Sequence, residues 1–173
     1  IRELTIEMIN DVVSKGTGAV NMASELSSRL SMRVICRMTG IDLEREDWLR
    51  DKLDEFNQST WSTMPPQWDV QVFFWQMIAK RLSEPRDELL DVIIEAWKAK
   101  TIDDDELVGY IYGFLAAGTD TTGASLAMTF PLLAEFEQLE YARSVLGDEN
   151  GLANLVEEIL RFATAFPMKP LYV

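Results

Sequence analysis

Apolar residues recur at helical spacing through almost all of this 173-residue chain. Ile1, Leu4, Met8 and Val12 form a stripe with Ile9 and Val13 beside it, the three-and-four step of one helix face. Gly16 and Gly18 then mark its end, because glycine takes the left-handed backbone that stops a helix. Leu26, Leu30, Val34 and Met38 repeat the pattern at steps of four, with Gly40 as the stop. A third helix is read in DLEREDWLRDKLDEFNQ, with Asp42 as its N-cap. Pro65 and Pro66 cannot continue a helix and make the main internal break.

Beyond that break, VQVFFWQMIAKRLSE is an apolar helix ended near Pro85, and DELLDVIIEAWKAK an amphipathic one starting near Asp87. Asp103 and Glu106 have the spacing of a capping box, and three consecutive acids suit the positive end of the helix they open. That helix is expected to run to about residue 127, with Pro131 as a kink or boundary. Two shorter helices, over about 132–146 and 151–163, and an extended tail at Pro167 and Pro170 complete the pattern. No strand alternation precedes the closing PLYV, and there is no internal repeat. The expectation is an all-α fold with one helical domain over 1–173.

Composition narrows the function classes. Sixteen Lys and Arg against 29 Asp and Glu give a formal charge of −13, the wrong sign for a nucleic-acid surface. No apolar run reaches the roughly 20 residues that span a bilayer, so no membrane association is expected. One cysteine and no histidine leave neither a disulfide framework nor the usual zinc or non-haem iron ligand set, so no metal site is expected from side chains alone. A cytoplasmic location is the default reading. Ile1 is not a start methionine, and the chain reads as a processed or excised piece.

The segment AGTDTT, residues 117–122, breaks the apolar run of the helix that Asp103 and Glu106 open. Glycine costs about 1 kcal/mol against alanine in a helix interior, and Thr and Asp compete for backbone hydrogen bonds. Gly118 removes a side chain where a flat group or another helix could approach, Thr121 could take up a carbonyl freed by local widening of the helix, and Asp120 beside it would make a short proton relay. Downstream, Glu158 and Arg161 stand three apart on one helical face. Cys36, among Met32, Ile35 and Met38, reads as a small buried hydrophobe. Trp61, Trp68, Phe73, Phe74 and Trp75 cluster around the proline break and fit either an apolar cover or plain core packing.

These features together resemble the cytochromes P450, haem-thiolate monooxygenases. Ala117, Gly118, Asp120, Thr121 and Thr122 match that family's long central helix, and Glu158 with Arg161 its Glu-x-x-Arg pair. The resemblance extends over essentially all of the chain as helices D to K of bacterial members, without the sheet and without the loop that carries the axial cysteine. It implies that Ala117, Gly118 and Thr122 border haem, that Asp120 and Thr121 form the acid and alcohol pair that delivers protons, and that Glu158 and Arg161 are a structural pair. It implies an apolar small-molecule substrate and, if haem is bound, a redox partner. Because the ligand loop is absent from this sequence, a second expectation stands beside the first: a haem-free relative with a non-redox role, as cyclase or isomerase, small-molecule binder or activator of a partner enzyme. In either case a second copy or a partner protein would cover the cleft that faces porphyrin in the family.

Overall fold

The computed structural model describes residues 1–16, 18–58 and 68–163. Among them are eight α-helices and no strand. α1 is Arg2–Ser14, and α2, Ser28–Thr39, is entered through a π-helical turn at Ala23–Ser27. A 3-10 turn at Leu43–Arg45 leads into α3, Glu46–Gln58. α4 is Trp68–Ser83, α5 Leu89–Lys98, α6 Asp104–Glu135, α7 Leu139–Ser144 and α8 Glu149–Phe162. The expected all-α architecture is present. The proline break at 65–66, Trp61 and the tail with Pro167 and Pro170 lie outside the described residues.

Local chemistry accounts for most boundaries. Gly16, Gly18 and Gly40 all have positive φ after the helices they stop. Asp103 accepts from the Glu106 amide at 2.8 Å while Glu106 accepts from the Asp103 amide at 2.9 Å, so the capping box that opens α6 is reciprocal. Glu88, not Asp87, is the N-cap of α5: Glu88 and Asp91 form the box there, and Asp87 takes a positive φ of 58°. Asp42 is extended and precedes the 3-10 turn, but its side chain makes no capping bond.

Two expectations need correction. α6 does not end near residue 127; it continues through Pro131 for 32 residues in all. The second is α2, where Leu26 and Leu30 are buried but Val34 is half-buried and Met38 is 55% exposed. The buried side runs instead through Ser27, Ser31, Met32, Cys36 and Thr39. Its hydroxyls can be buried because they bond within their own helix: Ser31 Oγ to the Ser28 carbonyl at 3.0 Å, Thr39 Oγ1 to the Ile35 carbonyl at 2.8 Å.

The chain divides into two compact units, Met32–Gly118 and the combination of Ile1–Ser31 with Thr119–Val173. The first has a continuous apolar core in which Phe74, Met32, Cys36, Leu107, Ile111 and Leu115 are at most 1% exposed. Trp48 meets Phe73 edge-on at 5.3 Å and Trp75 meets Trp97 at 5.9 Å, while Trp68 is exposed. Most of the described aromatic cluster is therefore core packing. In the second unit Leu4, Met8, Val12, Leu26, Leu30, Leu133 and Val145 are buried, and α8 has no buried residue.

Candidate functional site

α6 carries the AGTDTT segment, and its two sides differ. Leu107, Ile111, Leu115, Thr119 and Gly123, at steps of four, form the buried edge. The outward side holds Tyr110, Phe114, Ala117, Ala124 and Met128. With 3.6 residues per turn, about 100° apart, Asp120 and Thr121 fall on either side of the Ala117 direction one turn on. Both are half-buried, whereas Ala117 and Thr122 are exposed. The helix thus presents one small apolar residue flanked by an acid and an alcohol.

Gly118 points elsewhere. A side-chain carbon there would collide with the Ile35 side chain, so the missing group makes room for α2 within the same unit. Gly123 has the same use in the other unit, where a side-chain carbon would stand 3.0 Å from Ser31 Oγ. α6 is α-helical throughout, so the expected widening at Thr121 is not present. The Thr121 carbonyl accepts from Ser125 Oγ at 2.9 Å, and the Ser125 carbonyl from Thr129 Oγ1 at 2.9 Å.

Glu158 and Arg161 meet in a two-pronged ion pair on α8, with Nε to Oε2 and Nη2 to Oε1 both at 2.6 Å. The guanidinium holds the Glu158 carboxyl below the usual carboxylate range, and the carboxylate raises Arg161 in return. Both side chains are well exposed, at 60% and 66%. They stand on the rim of an apolar groove of about 540 Å³ whose walls include Leu133, Phe136, Leu155, Ile159 and Phe162, with Phe136 and Phe162 in an edge-to-face contact at 4.9 Å. The helical pattern of the sequence did not reveal this groove, because its walls come from three separate helices.

No protein-family model matches the sequence. Sequence comparison finds cytochrome P450 GfsF of Streptomyces halstedii, 27% identical over 95% of this chain and 40% of its own length. It also finds 6-deoxyerythronolide B hydroxylase of Saccharopolyspora erythraea, 26% identical over 94% of this chain and 41% of its own length. Among solved structures, the P450 enzyme CxnD, for C–S bond formation in chuangxinmycin biosynthesis, superposes with a TM-score of 0.80 at 21% identity, over 94% of this chain and 41% of its own. The crystal structure of GfsF gives 0.76 at 23% identity, over 92% and 41%.

The sequence relatives and the structural neighbours found for this chain are cytochrome P450s. The chain spans about 40% of the length of the curated P450 relatives it matches, and the described residues form a helical portion of the P450 fold.

P450 chemistry requires an accessible thiolate on haem iron. Cys36 is the only cysteine and is fully buried, and burial, aided by the Glu46 carboxylate, pushes its thiol up to about 12. Such a sealed neutral thiol does not fit an axial ligand. The outward side of α6, with Ala117 flanked by Asp120 and Thr121, fits one flank of a flat macrocycle. The residues present therefore fit a wall of a haem site and do not fit its iron ligand. Among the described residues, no helix is long and apolar enough to cross a membrane.

Proposed function

We propose that this chain is the oxygen-side helical wall of a P450-type, oxygen-activating monooxygenase acting on an apolar small molecule in the cytoplasm. The observation that supports it most is the shared side of α6, where Ala117 leaves space and Asp120 and Thr121 flank it half-buried. Haem, when bound, supplies the oxidative chemistry, with an iron ligand other than Cys36 and electrons from a redox partner. In this reading Ala117 and Thr122 border the group, and Gly118 lets α6 lie against Ile35 at the right depth. The Asp120 carboxyl gives its proton to Thr121 Oγ1 as the Thr121 hydroxyl gives up its own to the reacting group, so the alcohol stays neutral and solvent restores the proton on Asp120. Phe114, one turn before Ala117 on the outward side, offers an apolar contact to a substrate.

The test uses the native polypeptide that carries these residues. Reduced and exposed to carbon monoxide, it should show the absorption band of thiolate-ligated haem. Thr121→Ala should lower product formed per oxygen consumed several-fold without loss of haem. A native polypeptide that binds no haem overturns the proposal. That outcome would favour a non-redox relative, a reading supported by the sealed Cys36 and by the apolar groove beside α8, which is large enough for a small molecule.

A further inference from the structure

We propose that the unit Met32–Gly118 carries a second ligand site, for an amphipathic monocarboxylate, in a pocket at the C-terminal ends of α2 and α4. The pocket measures about 500 Å³, within the range of small-molecule sites, and none of Ala117, Asp120, Thr121, Glu158 or Arg161 lines it. Its floor is apolar: Ile41 is buried, and Leu43, Phe73 and Met77 are half-buried. Its rim is of mixed charge and includes Arg37 from the last turn of α2, Lys80 from the last turn of α4 and Arg86 from the α4–α5 connection.

Basic residues at helix C-termini ordinarily do no more than offset the helix dipole. Two observations take these three further. In a chain with 29 acids and 16 bases, the Arg37, Lys80 and Arg86 side chains form no ion pair and no side-chain hydrogen bond among the described residues, yet all line one concavity. The concavity is also held in shape. Buried Arg81 donates to the Gly40 carbonyl at 2.9 Å, to Asp91 at 3.0 Å and to Glu88, which ties the end of α2 to the end of α4 and the start of α5. Gly40, with φ of 73°, admits that guanidinium where a side-chain carbon would collide with it. The cations thus project from a fixed frame, and fixing the frame in advance lowers the ordering cost of binding.

The charges around the rim select the ligand. Asp42, Glu44 and Glu84 also line the pocket, so a multiply charged anion meets repulsion as well as attraction. A single carboxylate can engage the unpaired cations while an apolar tail covers Leu43, Phe73 and Met77. A neutral alcohol of the same length gains only the floor, and inorganic phosphate only the rim.

The probes are octanoate, octanol and inorganic phosphate, titrated calorimetrically into the purified protein and followed by the Met77 methyl resonance. Octanoate should bind at one saturable site, shift that resonance, and bind at least tenfold more tightly than either other probe. The variant Arg37→Gln/Lys80→Gln/Arg86→Gln, all at exposed positions, should weaken octanoate at least tenfold with an unchanged helical circular dichroism spectrum. Glu84→Gln should tighten it. The proposal is overturned if octanoate does not saturate, leaves the Met77 methyl unmoved, binds the triple variant as well as the wild type, or is matched by octanol or by phosphate.

Discussion

The two units show two ways for a helical chain to use its apolar residues. In Met32–Gly118 the core is closed: Phe74 lies at its centre and the aromatic rings of α3, α4 and α5 interlock. In the other unit the apolar side of α8 stays open, with Leu152, Val156 and Leu160 at steps of four and each more than a third exposed. The first pattern secures stability from within the unit. The second leaves apolar surface on the side of α8 opposite the Glu158–Arg161 pair, as expected of a helix that a further surface covers.

The largest expected effect tests the closed core. Phe74→Ala should cost about 3–5 kcal/mol, the range for deleting a large buried aromatic, whereas Val156→Ala on α8 should cost less than about 0.5 kcal/mol. Urea denaturation of the two variants measures both, and similar losses would erase the contrast between the units. Next comes glycine packing inside the closed unit. Gly118→Ala drives a methyl into Ile35 and should cost about 1–3 kcal/mol. Gly113→Ala, with nothing near its added carbon, should instead stabilise by about 0.5–1 kcal/mol. Thermal midpoints of the pair distinguish close approach from ordinary helix propensity.

A smaller, pH-dependent effect sharpens the picture of the Arg81 clasp. Burial pushes the Asp91 carboxyl up, but backbone N–H groups of Glu88 and Arg86 and the Arg81 guanidinium outweigh it and hold the group below its ordinary value. A lowered folded pKa stabilises the fold fully above the unfolded value and loses that contribution as the pH falls through the folded one. Asp91→Asn should therefore be less stable than wild type at pH 7, with the gap closing below about pH 4. A gap that persists in acid would assign the effect to shape and not to charge. Smallest of all is Glu158→Gln, which should leave the unfolding midpoint unchanged in denaturation of this chain, because an exposed pair is screened by solvent.

How much of this was legible in the sequence depends on where the determining interaction lies along the chain. The helices, the Asp103–Glu106 box and the burial of Cys36 follow from residues within one or two turns of each other. The buried side of α2 does not, because Ser27 and Ser31 are hidden by the close approach that Gly123 permits, ninety residues downstream. Gly118 alone could not say whether a cofactor or a helix would fill its gap; Ile35 answers that only in three dimensions. The length of α6 was underestimated because Pro131 lacks an amide hydrogen, yet the helix continues past it. The mixed-charge pocket was invisible in sequence because Arg37, Lys80 and Arg86 come from separate elements.

The sealed state of Cys36 gives the molecule an internal clock. A single thiol with no access to solvent cannot meet an alkylating reagent until the surrounding helices part. Its labelling rate in native buffer would report how often the closed unit opens, at one defined atom and without any engineered probe.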